Sequence, residues 1–129
     1  MAYLVDADVL YGYIDPADWL HDWAVRFFEK FENEDVKTSV AVVLELAVVV
    51  KREMPNKLFE ILKTLEELNI EILQVNDEIT RLAFDFMQKD FSIFDAFHAS
   101  TAKYYGLTIV STDHRYKDTG LGVLDPRNL

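Results

Sequence analysis

The chain has no cysteine among its 129 residues. This excludes disulfide frameworks, thiolate zinc sites and cysteine nucleophiles, and leaves oxygen and histidine nitrogen as the only strong metal donors. Glycine is scarce, with four residues, and none belongs to the G-x-x-x-x-G-K loop that cradles nucleotide phosphates. No serine lies in a G-x-S-x-G turn, so a serine hydrolase has no support. The three histidines, His21, His98 and His114, show neither H-x-x-x-H nor H-E-x-x-H spacing, which disfavours zinc. The longest apolar run, Val40 to Val50, is interrupted by Glu45 and falls well short of the roughly 20 residues that span a bilayer. Basic residues are also few. The first cation is Arg26, so no secretory signal is expected and a soluble, cytoplasmic protein is. Lys and Arg number 13 against 23 Asp and Glu, a net charge of −10, which argues against a surface that holds nucleic acid by phosphate neutralisation alone.

What is present suits a folded domain. Half of the residues are hydrophobic, 13% aromatic and only 28% charged, a composition far from that of disordered chains. No linker or repeat interrupts the chain, so one domain spanning 1–129 is expected. Tyr3 to Val5 reads as a strand ending in Asp6, and Asp15-Pro16 as the start of a helix running to about Asn33. Val36 to Ser39 reads as a second strand, with Ser39 capping a helix through Glu53. Asn56 is expected to cap a helix through Leu68, followed by a strand over Ile70 to Val75. Asp77 and Ser92 each open a further helix, the second ended by Gly106. Leu107 to Ser111 and Gly122 to Leu124 complete the strands. Strands alternating with helices imply a three-layer α/β/α architecture around a mostly parallel sheet, with its site beyond the carboxyl ends of the strands.

Four carboxylates stand where a purely structural acid would be expensive. Asp6 ends the first strand in an apolar context, Leu4-Val5-Asp6-Ala7-Asp8-Val9-Leu10, where it could also cap the following backbone. Glu45 has Ala41, Val42, Val48 and Val49 as its helical neighbours, which places it on an apolar surface. A pair with Arg52 or a backbone donor would be its structural explanation. Asp95, in Ser92-Ile93-Phe94-Asp95, has the spacing of a capping box, yet it also begins a face of His98, Ala99 and Ala102 with room for a metal or for close packing. His98 itself reads as a half-buried packing residue. Asp113 follows the strand ending at Ser111, at the same sheet edge as Asp6. Converging carboxylates raise one another's pKa unless a cation intervenes, and oxygen ligands select Mg²⁺ or Mn²⁺. Metal-assisted phosphoryl chemistry is the expectation.

These residues, in this order and spacing, resemble the PIN domain family. The motifs are Asp6 in its strand-end context, Glu45 in Leu44-Glu45-Leu46, Asp95 in Phe94-Asp95-Ala96-Phe97-His98-Ala99, and Ser111-Thr112-Asp113-His114-Arg115-Tyr116. In length the chain is similar to the VapC-type toxin ribonucleases of that family. The resemblance implies a Mg²⁺- or Mn²⁺-dependent endoribonuclease in which Asp6, Glu45, Asp95 and Asp113 hold the metal. Ser111 matches a supporting hydroxyl position. It further implies an RNA substrate, a homodimer and a cognate antitoxin. Asp8 departs from the Asn or Ser common in the family, which leaves it open between supporting the metal and capping the loop. Arg115 is the expected phosphate contact. Two other readings use parts of the same residues: a phosphatase similar to the haloacid dehalogenases, with Asp6 and Asp8 as its acid pair, and a PIN fold serving only as a binding module. A phosphoacceptor receiver domain fits less well, because no Lys follows the last strand.

Overall fold

The computed structural model describes residues 1–129. Five strands, β1 (Ala2–Val5), β2 (Asp35–Ser39), β3 (Glu71–Leu73), β4 (Thr108–Val110) and β5 (Val123–Leu124), form one sheet in the order β3-β2-β1-β4-β5. Every pairing is parallel: Tyr3 stands opposite both Val36 and Thr108, Thr38 opposite Ile72, and Ile109 opposite Val123. Parallel neighbours need crossover connections. Here these carry α1 (Ala7–Ile14), α2 (His21–Lys30), α3 (Val40–Glu53), α4 (Glu60–Glu67), α5 (Asp77–Met87) and α6 (Ile93–Tyr105). The expected three-layer α/β/α architecture is the one observed. The chain winds outward from β1 through β2 to β3, then returns to place β4 on the other side of β1. That reversal opens a crevice at the carboxyl ends of β1 and β4.

The inner strands read as apolar runs because both of their faces are covered. Leu4, Val5, Ile109 and Val110 have no exposed surface. Tyr3, Phe27 and Phe31 fasten α2 to the sheet, with the Phe27 and Phe31 rings stacked 4.7 Å apart and Tyr3 edge-on to Phe31 at 5.2 Å. Local signals placed several helix ends correctly. Ser39 Oγ accepts from Val42 N at 3.2 Å, Asn76 Oδ1 from Ile79 N at 2.9 Å, and Ser92 Oγ from Asp95 N at 3.2 Å. Gly106 closes α6 in the left-handed conformation, φ 69°, and Leu107 N reaches back to Ala102 O at 2.8 Å.

Two stretches differ from the sequence reading. The helix expected from Asp15-Pro16 is preceded by another, α1, and itself starts only at His21. Asp15 Oδ1 accepts from Ala17 N and Asp18 Oδ2 from Leu20 N, which makes the segment between them a pair of side-chain-closed turns. Asn56 does not cap a long helix either. It lies in a 3₁₀ turn over Pro55–Lys57, and α4 begins at Glu60 with Ile61 and Leu65 as its buried stripe. The third strand is confined to Glu71–Leu73.

A Cβ added at Gly106 would meet nothing within 4 Å, so its replacement is a clean measure of backbone strain. Gly106→Ala is expected to destabilise the fold by about 1 kcal/mol, read as a fall of about 3–5 °C in thermal denaturation. An unchanged Tm would show that the left-handed geometry is not required to end α6.

Candidate metal and active site

Asp6 sits where β1 runs into α1, and it serves both elements. Its Oδ1 accepts from Ala7 N at 2.7 Å as the N-cap of α1, and its Oδ2 accepts from the Ser111 hydroxyl at 2.8 Å. Ser111 Oγ in turn accepts from Asp113 N at 3.0 Å. One buried hydroxyl thus links the first and last of the expected acids across the β1–β4 crevice. Burial, reinforced by the nearby Asp8 charge, pushes the Asp6 carboxyl up to about 7 against the lowering effect of its hydrogen bonds and His98.

Glu45 projects from α3 with 29% of its side chain exposed. Arg52 pairs with Glu53, so the suggested Glu45–Arg52 pair does not form. The partner of Glu45 is His98, whose Nε2 lies 2.8 Å from Glu45 Oε1 and 3.6 Å from Asp6 Oδ1. His98 is therefore not a half-buried packing residue: it has no exposed surface and joins two acids. Ligand atoms of Asp6, Glu45 and His98 all lie within 4.8 Å of one another. Burial alone would lower the His98 pKa, but the Glu45 hydrogen bond and the Asp6 charge outweigh it and hold the imidazole above its ordinary value.

Asp95 is buried at the first turn of α6. Its backbone N–H completes the Ser92 cap, but its carboxylate does not fold back onto that cap. Oδ1 accepts from the buried Tyr116 hydroxyl at 3.1 Å, and Oδ2 accepts from Arg115 Nη2 at 2.5 Å. The same Nη2 lies 3.1 Å from Asp113 Oδ2. Burial raises the Asp113 pKa, but the Arg115 hydrogen bonds and charge outweigh it and hold that carboxyl below the ordinary range. Asp8 accepts from Thr112 N at 3.1 Å and from Thr112 Oγ1 at 2.5 Å through Oδ2, while its buried Oδ1 has no hydrogen-bond partner. It secures the segment between Ser111 and Asp113, and burial raises its pKa as well.

Asp6, Asp8, Glu45, Asp95, Asp113 and Arg115 line one cleft of about 500 Å³, with Ala7, Tyr11, Val49 and Ser92 completing its walls. Two features escaped the sequence reading. Tyr116 ends the Ser111–Tyr116 motif without a role of its own there, and its role follows from the turn that brings its hydroxyl to Asp95. His98 was visible one helical turn beyond Asp95 among small residues, a pattern that allows a buried polar group but does not identify its partner. Arg115 is the only cation lining the cleft, and no lysine lines it. A dehalogenase-type phosphatase would need such a lysine beside Asp6 and Asp8, and here Asp8 is engaged by Thr112.

The Asp6 carboxyl has consequences for stability. With its folded pKa raised above the unfolded value, its favourable contribution is present at acid pH and is lost as pH rises from about 4 through about 7. In chelator, Asp6→Asn is expected to be more stable than the wild type at pH 8, by on the order of 2–4 kcal/mol, with the difference shrinking towards pH 5. Thermal denaturation across that range checks it, and a variant less stable than the wild type at pH 8 would contradict the assignment.

The family model described as the PIN domain matches residues 3–121. No curated protein matches. Among solved structures, Mycobacterium tuberculosis VapC20, a sarcin–ricin loop cleaving toxin, superposes with a TM-score of 0.79 at 15% identity, over 92% of this chain and 95% of that one. FitAcB from Neisseria gonorrhoeae gives 0.76 at 22% identity, over 98% and 99%. VapBC2 from Rickettsia felis, bound to a promoter DNA fragment, gives 0.75 at 20% identity, over 96% and 98%. At these identities the superpositions show a shared fold, and the family match over nearly the whole sequence shows that the chain belongs to the PIN domain family.

Proposed function

We propose that this protein is a divalent-metal-dependent endoribonuclease acting as the toxin of a toxin–antitoxin pair, with residues 1–129 forming a single catalytic domain. The observation that carries the reading is the convergence of Asp6, Glu45, Asp95 and Asp113 on one cleft at the β1–β4 switch point. The similar structures support it, since one is described as a sarcin–ricin loop cleaving toxin and another as VapBC2.

The residues fit a hard cation. The donors are carboxylate oxygens. Burial pushes the Asp6 carboxyl up to about 7, and the nearby Asp8 keeps an unpartnered buried oxygen. Asp6, Glu45, Asp95 and Asp113 would hold Mg²⁺ or Mn²⁺, which supplies an activated water and neutralises the charge developing on the phosphodiester. Ser111 holds Asp6 in place, Tyr116 orients Asp95, and Asp8 fixes the Thr112 segment that leads into Asp113. Arg115, with 59% of its side chain exposed, bridges Asp95 and Asp113 and faces the cleft mouth, where a substrate phosphate would meet it. A chain of net charge −10 offers few other cations to RNA and complements a basic antitoxin segment. Homodimerisation and a cytoplasmic location belong to the same proposal. No helix is long and apolar enough to cross a membrane.

The deciding experiment incubates the purified protein with a pool of structured RNAs in Mg²⁺, in Mn²⁺ and in chelator, scoring phosphate-monoester hydrolysis alongside. RNA fragments should appear only with metal. Asp95→Asn should lower cleavage by at least about 100-fold while leaving its circular dichroism intact. Normal cleavage by that variant would return Asp95 to a purely structural role, and monoester turnover without RNA fragments would favour a phosphatase. Arg115→Gln is expected to weaken RNA binding and to reduce the slope of log K against log salt by about 0.7, the value for one phosphate contact on a single strand. An unchanged slope would remove Arg115 from the RNA interface.

A further inference from the structure

His98 is the most enclosed polar group beside the cleft. It has no exposed surface, and its ring lies within 25° of parallel to Phe94 at 6.3 Å. The residue comes from α6, its Nε2 meets Glu45 of α3 at 2.8 Å, and the same atom lies 3.6 Å from Asp6 at the end of β1. One imidazole thus spans three elements that each carry an acid. Its other nitrogen, Nδ1, is buried with no hydrogen-bond partner.

Two roles compete for Nε2, and Nδ1 separates them. As a metal ligand, Nε2 would present its lone pair and the ring proton would move to Nδ1, where a buried N–H would have no acceptor. Metal-bound histidines ordinarily donate that second proton to an oxygen. As a hydrogen-bond donor, Nε2 keeps its proton, and the neutral ring leaves only an unused lone pair at Nδ1. Orphaned buried N–H groups are rarer than under-used acceptors. Glu45 needs such a donor, being a long side chain, partly exposed, on a helix face otherwise lined by Ala41 and Val49.

We propose that His98 is a positioning residue whose Nε2–H donates to Glu45 Oε1, fixing that carboxylate at its spacing from Asp6 and preforming the cation site without coordinating the ion. The proposal rests on the reading of this cleft as a divalent-metal site. Its test compares His98→Gln, which places an amide N–H close to the Nε2 position, with His98→Leu. Both are titrated calorimetrically with Mn²⁺ alone, with thermal denaturation as the control for folding. The expected result is a folded Leu variant that binds Mn²⁺ about 10–100-fold more weakly, with the Gln variant restored close to wild type. A Leu variant that binds as tightly as wild type, or a Gln variant as impaired as Leu, would overturn the proposal.

Nitrogen-15 NMR of the wild-type imidazole decides the matter independently of either variant's folding. Nε2 should carry the proton in metal-free protein and keep it at saturating Mg²⁺. Transfer of that proton to Nδ1 on Mg²⁺ addition would make His98 a ligand and remove this proposal alone. Absence of any ion binding by the wild-type protein would remove the metal-site reading together with it.

Discussion

The constraint on which the rest of this structure depends is the cost of keeping the Asp6 carboxylate out of water. A buried carboxylate is tolerated only when it is hydrogen-bonded, neutralised or paired, and the surrounding elements are arranged to do all three in part. The start of α1 lends it a backbone N–H, the end of β4 lends it the Ser111 hydroxyl, and α6 brings His98 within 3.6 Å. Three separate segments therefore meet at one side chain, and the crevice between β1 and β4 is shaped by their meeting. A parallel sheet with both faces covered leaves the carboxyl ends of its strands as the natural place for such a concentration of charge.

Around that centre the acids divide into two groups by the nitrogen donor each has found. Glu45 and Asp6 share the imidazole of His98, deep in the cleft. Asp95 and Asp113 share the guanidinium of Arg115 at its mouth. The cleft thus carries two nitrogen donors of its own, one fixed and enclosed, the other on a long, mostly exposed arm. Under the proposed nuclease reading, affinity for a polyanion would be concentrated at the cleft, because a net charge of −10 gives the surface little attraction for one.

Much of the fold and the acid set was legible in the sequence, for reasons visible in particular residues. Ser39 and Ser92 are caps whose hydrogen bonds form where their spacing indicates, and the short apolar run from Leu107 reads as a strand covered on both sides. Asp6, Glu45, Asp95 and Asp113 drew notice as acids in apolar surroundings, and all of them line the cleft. What stayed hidden depended on long-range pairing. The Glu45–His98 contact joins residues 53 positions apart, and nothing local in either helix announces it. Tyr116 likewise acquires its partner from a turn whose path depends on Asp113 and Asp8. The late start of α2 has a different origin. Asp15-Pro16 carries a strong local start signal, but the carboxylates of Asp15 and Asp18 close turns on their own backbone first.

The two outer strands of the sheet are very short. β3 has three residues and β5 two, and next to β3 the Lys37 ammonium is clasped by Asp35 and Glu71. A row of free backbone groups of that length gives an incoming strand almost nothing to zip onto. Such short edges leave little template for edge-to-edge growth into fibrils.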